Sequence, residues 1–170
     1  MNQVPGIYVF TQVHTHTMSI VSSVKSQGNC GSCVAFATNG MAEAALIKAG
    51  ATKSGLDLSE QWLVDCKPIG ALGCCGAHVA SYTKFLKQGN LMHENAFPYK
   101  AFYHNDTSKC PSGPYWSLGY KIDKTIFDWK CNEAKLMKQI MEFGASLISV
   151  YASDLGFKNY KSGVFDTCRY

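Results

Sequence analysis

Residues 27–37 read QGNCGSCVAFA, and how this stretch is read decides what the chain folds into. Cys30 and Cys33 stand three apart with glycine and serine between them. Four chemistries use such a pattern: a nucleophilic thiol, a redox pair, half of a zinc site, or two structural thiols. A thiol attacks an acyl carbon only as its thiolate, and the first turn of a helix favours that anion through unpaired N–H groups and the helix dipole. Cys33 stands where a helix running to about Lys48 begins, with Ala37, Gly40, Met41, Ala44 and Ile47 on one face and Gly50 as its stop. Gly31 and Ser32 let the backbone turn sharply before Cys33 and leave the sulfur exposed. Gln27 can offer a side-chain N–H to a developing oxyanion beside the backbone N–H of Cys33.

Further helices follow. LSEQWLVDC (58–66) starts one, with Ser59 as cap and Trp62, Leu63 and Cys66 inward. A third runs from about Gly76 to Lys87, carrying Val79, Ala80, Tyr82, Phe85 and Leu86, and closes at Gly89 or Asn90. A fourth follows the cap Asn132, with Leu136, Met137, Ile140 and Phe143 inward and Gly144 after it. Strands are confined to the second half, at YWSLGYKID (115–123) and SLISVY (146–151). Helices first and strands later is the α+β pattern.

A length of 170 residues suits one domain or two small lobes, and 46% hydrophobic residues with nine Tyr, nine Phe and three Trp supply a core. No run approaches the ~18 apolar residues of a membrane helix. The net charge of +4 is mild and the sixteen basic residues are scattered, so neither nucleic acid nor a membrane is expected as a partner. Eight cysteines point to an oxidising compartment or to metal. The first twenty residues have no basic head or long apolar stretch of a secretory signal, although Asn105-Asp106-Thr107 forms a glycosylation sequon.

These facts weigh on the four chemistries. A thioredoxin-like pair follows a buried strand in a βαβ unit, which this region does not supply. A zinc site built from Cys30, Cys33, Cys74 and Cys75 would take its second half from adjacent cysteines, unlike the spaced pairs of structural zinc sites. The local motif alone puts the nucleophile only modestly ahead, with purely structural cysteines still open.

VKSQGNCGSCVAFA, LSEQWLVDC, GCCGA and NLMHENAFPY occur in this order, and EAKLMKQIMEFGASLISVYASDLGFKNYKSGVFD follows. Together they resemble the papain family of cysteine peptidases over residues 20–170. The resemblance implies an α+β, papain-like two-lobe fold, with the helical lobe nearly complete and the β-barrel lobe incomplete at the C-terminus. Residues 1–17 do not match, 18–110 form the mainly helical lobe with the nucleophile, and 111–170 form part of the β-rich lobe. It further implies Cys33 as nucleophile, Gln27 as oxyanion-hole donor, and Gly31 and Ser32 as the tight turn before the nucleophile. Gly76 and Ala77 match the pair whose backbone holds an extended substrate, and His78 and Val79 line the pocket for the second residue before the cut. The family's disulfides pair Cys66 with Cys110 and Cys30 with Cys74, the latter open by one position because Cys75 is adjacent. Cys168 matches a cysteine whose partner lies further along the family's chain. No cofactor and no metal are implied; partners are a peptide or protein substrate and a protein inhibitor, in a lysosomal or secreted setting.

Four departures qualify this picture. Val34 stands where the family has an aromatic residue, and Ala77 replaces the second glycine of the substrate-binding pair, narrowing the approach of a substrate backbone. Residues 1–17 lack the family's proline-containing start. The family's base is a histidine ~130–150 residues beyond the nucleophile, a window that opens at about residue 163. GVFDTCRY (163–170) holds neither that histidine nor its asparagine, and His14, His16, His78, His93 and His104 lie in no family histidine motif. The expectation is therefore a cysteine-type endopeptidase working through a thioester, represented by a fragment without its catalytic His and Asn. The alternative is an inactive homologue that binds peptides or inhibitors. An incomplete β lobe would also leave the apolar surface around SLISV uncovered.

Overall fold

The computed structural model describes residues 22–51, 54–66, 70–89, 91–102, 110, 122, 132–148 and 155–162. The elements are α1 (Cys33–Lys48), α2 (Glu60–Asp65), a 3-10 turn at Gly73–Cys75, α3 (Val79–Lys87), α4 (Glu133–Phe143) and α5 (Leu155–Lys158). Two isolated antiparallel bridges pair Leu58 with His93 and Ala71 with Ala77. The expected strand 115–123 lies almost wholly outside the described residues; of 146–151, residues 146–148 are described and carry no regular structure.

Helix α1 is the axis on which the rest packs. Its buried residues include Val34, Ala35, Ala37, Thr38, Asn39, Ala42, Glu43, Ala44 and Leu46. The expected single inward face is thus corrected: Gly40, Met41 and Ile47 are only half-buried, and residues on the other sides are buried instead. The small side chains of the helix let neighbours approach from several directions, so no single stripe is selected. Gly50, at φ +102°, ends the helix with its N–H on Ile47 O.

Helix α2 lies against α1. Ser59 caps it, its Oγ accepting from Trp62 N at 3.0 Å while donating to Phe97 O. All six residues of α2 are buried, because Trp62 and Leu63 face the core while Glu60, Gln61 and Asp65 are enclosed by the loops around them. Segment 57–59 pairs with 92–94 through Ser59 N–H to Met92 O and Glu94 N–H to Asp57 O, both 2.8 Å. The core gathers Cys30, Cys33, Val34, Trp62, Leu63, Tyr82, Leu86 and Leu91, with Phe85 and Phe97 stacked against Trp62. The third helix begins at Val79, three residues after the expected Gly76, because Gly76 takes φ +105°, Ala77 pairs with Ala71 and His78 is extended.

Helix α4 starts at Asn132, whose Oδ1 accepts from Lys135 N at 3.1 Å, and ends at Gly144, whose N–H bonds Ile140 O at 2.8 Å. Lys48 at the end of α1 donates to Met141 O, tying the two helix ends together. Leu136, Ile140 and Phe143 are half-buried as expected, but Met137 is 58% exposed and Met141 69%. Met137 is adjacent to Leu136, so on a helix it points about 100° away from the packed stripe.

Among the described residues two disulfides form, Cys30–Cys74 and Cys66–Cys110. Cys33 and Cys75 are free.

Candidate active site

The turn before α1 is built around Gly31. Its N–H donates to Cys74 O at 2.9 Å, and a Cβ at this position would lie 2.4 Å from that same oxygen. Only glycine lets the chain pass this close to the 3-10 turn that carries Cys74. The chain then enters α1 through Ser32, whose backbone carbonyl accepts from Ala35 N (2.8 Å) and Phe36 N (3.1 Å). The first helical residue is Cys33.

Cys33 is 8% exposed and belongs to the apolar core cluster, so the sulfur is less open than the sequence led us to expect. The glycine and serine shape the turn, but the thiol belongs to the same buried cluster as Val34 and Tyr82. Burial, and next the charge of the Cys33 thiolate, push the Tyr82 phenol above its usual range, which keeps it protonated beside the sulfur.

Gln27 lies on the incoming segment. Its Nε2 donates to Cys30 O at 2.9 Å, which fixes the amide plane and leaves the second N–H for another acceptor. The same residue's main-chain carbonyl accepts from Tyr99 Oη at 2.8 Å.

Gly76, at φ +105°, turns its polar groups inward: its carbonyl accepts from Leu72 N at 2.8 Å and its N–H reaches Gly73 O at 3.4 Å. Ala77 sits opposite Ala71 in the isolated bridge, in the position where neither residue bonds the other. No backbone bond among the described residues uses the Ala77 N–H or C=O. Of the two residues assigned to hold a substrate backbone, the backbone bonds among the described residues engage Gly76 and not Ala77. His78, exposed, precedes α3 without a side-chain cap bond, and Val79 is half-buried against the core.

Two of the cysteines that a zinc site would need, Cys30 and Cys74, are bonded to each other. Among the described residues no group of three His, Cys, Asp or Glu is placed to hold a metal ion. His93 is committed to a turn, with Nε2 2.6 Å from Gly55 O and Nδ1 accepting from Asn95 N. His14, His16, His104 and Cys168 lie outside the described residues, as do Cys131 and the sequon.

Sequence reasoning did not find the ion cluster behind the incoming segment. Lys25 Nζ lies 2.6 Å from Asp57 Oδ1, 2.9 Å from Glu60 Oε1 and 3.4 Å from Glu43 Oε1, and donates to Leu58 O at 3.2 Å. Glu43 and Glu60 are 1% and 2% exposed. Burial works against the Lys25 charge, but Glu60, Asp57 and Glu43 together hold the ammonium above its ordinary range. Burial pushes the Glu60 carboxyl up to about 7 despite Lys25, with Glu43 adding to the rise. Both groups are raised, which favours the charged form of Lys25 but the neutral form of Glu60, because three carboxylates share one ammonium: Lys25 gains from all three, while Glu60 gains a fraction and keeps Oε2 without a partner. Glu43 also accepts from Leu58 N and Ser22 Oγ, so the cluster fastens the segment that carries Gln27 onto α1 and α2. The sequence did carry a signal, a lysine two residues before Gln27 and acidic residues inside otherwise apolar helices.

Comparison with known proteins joins these parts. The family model described as "Papain family cysteine protease" matches residues 11–170. Over 154 residues the chain is 36% identical to gamete and mating-type specific protein A of Dictyostelium discoideum, covering 88% of this chain and 32% of that protein. The digestive procathepsin L2 proteinase of Tenebrio molitor superposes with a TM-score of 0.73 at 29% identity, over 88% of this chain and 46% of that one. The Carica candamarcensis cysteine protease CMS1MS2, solved with E-64, gives 0.65 at 27% identity, over 86% and 65%. The chain spans less than half the length of the curated relatives it matches. The helical part of an α+β, papain-like fold is what the described residues form. A match along nearly the whole sequence, with a free thiol at the head of the central helix and a disulfide beside it, makes this chain a member of the papain family of cysteine proteases.

Proposed function

We propose that the protein serves as a cysteine-type endopeptidase that opens peptide bonds through a thioester on Cys33. The observation that carries this reading is the placement of a free, unoxidised Cys33 at the N-terminus of α1, with the Gln27 amide pinned beside the same turn. The Cys33 thiolate adds to the substrate carbonyl carbon, forming the C–S bond and moving the π electrons onto oxygen. The free N–H of Gln27 and the backbone N–H of Cys33 receive that oxyanion. Collapse expels the amine, which takes a proton from a general acid, and water then cleaves the thioester to return the thiol and release the carboxylate.

No described residue fills the general acid–base role, which the resemblance gives to a histidine held by an asparagine. His93 is spent on its turn, and His78 is assigned with Val79 to the pocket wall. Gly31 and Ser32 shape the turn, and Ala77, beside Gly76, offers its backbone to an extended peptide. The two disulfides fit an oxidising lysosomal or secretory setting, a protein inhibitor is the natural second partner, and no helix among the described residues is long and apolar enough to cross a membrane.

The near burial of Cys33 favours one competing reading, an inactive homologue that presents the same cleft to peptides or inhibitors. A peptidyl epoxide of the E-64 type separates the two. Stoichiometric labelling of Cys33 between pH 5 and 7, lost in Cys33→Ala, supports the peptidase reading. Binding of the probe without covalent labelling supports the inactive homologue.

A further inference from the structure

Tyr99 belongs to the NAFPY stretch, and the roles assigned so far leave it unused. Its hydroxyl donates to Gln27 O at 2.8 Å and lies 2.6 Å from Ser32 Oγ. A phenol has one proton. With that proton on Gln27 O, the Ser32 hydroxyl must be the donor in the second bond. Ser32 is the N-cap residue of α1, 2% exposed, and its side chain makes no bond to the first-turn N–H groups. Serine at this position ordinarily turns its oxygen onto those N–H groups. Here the hydroxyl points away and gives its single proton to Tyr99 at 2.6 Å, with Cys30 O only a 3.4 Å neighbour.

Three further contacts hold the Tyr99 side chain and backbone. The ring packs edge-on against Phe36 of α1 with centroids 4.8 Å apart, the backbone N–H donates to Glu94 Oε1 at 2.6 Å, and the next residue, Lys100, donates its N–H to Gln61 Oε1 of α2 at 2.9 Å. The hydroxyl is therefore delivered from a fixed frame rather than from a free loop.

We propose that Tyr99 is a positioning residue: by holding the Ser32 hydroxyl off the first turn of α1 and bracing the Gln27 carbonyl, it keeps the N–H groups around Cys33 open to negative charge. The mechanism is competitive. Ser32 O already takes the Ala35 and Phe36 N–H groups, so a capping serine oxygen would take the Val34 N–H, the first-turn donor next to Cys33 that otherwise favours the thiolate. Burial raises the Tyr99 phenol above its usual range, so the donor persists throughout the working pH range. The inference rests on the peptidase reading for its purpose, but not for its test.

The test measures the pH profile of Cys33 alkylation by iodoacetamide, read by peptide-resolved mass spectrometry so that free Cys75 does not contribute, with thermal unfolding as the control. Tyr82 is the titrating neighbour recorded facing Cys33, and it is unchanged in every variant. In Tyr99→Phe the freed Ser32 hydroxyl swings onto the helix, the profile moves to higher pH, and the rate at pH 6 falls about two- to fivefold. With no Ser32 hydroxyl to swing, Tyr99→Phe/Ser32→Ala superimposes on Ser32→Ala. A Tyr99→Phe profile superimposed on the wild type, or a double variant displaced as far as Tyr99→Phe, overturns the proposal. Should Tyr99→Phe fail to fold, amide hydrogen exchange decides between wild type and Ser32→Ala. Equal exchange at Val34 supports an uncapped helix, and slower exchange in the wild type refutes it. Failure of the epoxide to label Cys33 would remove the peptidase reading and leave this comparison intact.

Discussion

Replacing Glu60 by glutamine should flatten the pH dependence of stability, and the buried cluster sets the size of the effect. Lys25 faces Asp57, Glu60 and Glu43, so full ionisation leaves two negative charges uncompensated in a space where Glu43 and Glu60 are almost fully enclosed. The Glu60 carboxyl rises from 4.5 to about 7. The folded state therefore binds its proton more tightly than the unfolded chain does. That contribution is complete below about pH 4.5 and is lost as pH rises through about 7. At 1.36 kcal/mol per pKa unit the full span is worth about 3 kcal/mol, and sharing within the cluster reduces the realised figure to roughly 1.5–3 kcal/mol. Glu94, raised mainly by burial, acts in the same sense, while Lys25, held above its ordinary range, loses its contribution only in strong alkali. Urea unfolding with the disulfides intact, at pH 5, 6, 7 and 8, reads the effect directly. The wild type should be more stable at pH 5 than at pH 8, and Glu60→Gln should lose most of that slope by removing the titrating group while keeping one amide donor and one acceptor. Wild-type stability that is flat or rising over this range, or a Glu60→Gln slope as steep as the wild type's, refutes the reasoning.

Three other substitutions probe the frame of the site. Gly31→Ala should cost about 1–3 kcal/mol, because its Cβ meets Cys74 O at 2.4 Å. Peptide mapping should also show less Cys30–Cys74 linkage after refolding. Ser59→Ala removes the cap of α2 and the donor to Phe97 O together, for about 1–3 kcal/mol in chemical denaturation. Met137→Gln should change stability by no more than about 0.5 kcal/mol, since the side chain is 58% exposed; a loss near 2 kcal/mol would restore the inward placement expected from sequence.

How much was legible differed by feature. The start of α1 at Cys33, the Ser59 and Asn132 caps and the glycine stops at Gly50 and Gly144 were readable, because caps and left-handed glycines act over three or four residues and need no partner elsewhere. The choice between Cys74 and Cys75 as the partner of Cys30 was not readable, since adjacent residues differ only in which way they point once the 3-10 turn is in place. The burial of α1 on nearly all sides and the outward turn of Met137 were likewise hidden, because which face is covered depends on what packs there.

By itself the sequence determined the order of motifs, the turn that carries Cys33 and the family, since those rest on residue identity and spacing along the chain. Only the tertiary structure decided how enclosed the Cys33 thiol is, that Lys25 is shared by three carboxylates, and that Tyr99 holds Ser32 away from the helix it begins. Each of these joins segments 18 to 72 residues apart. Such contacts are governed by burial and by the direction of single hydroxyl or carboxyl groups. Neither leaves a local periodicity for a linear reading to detect.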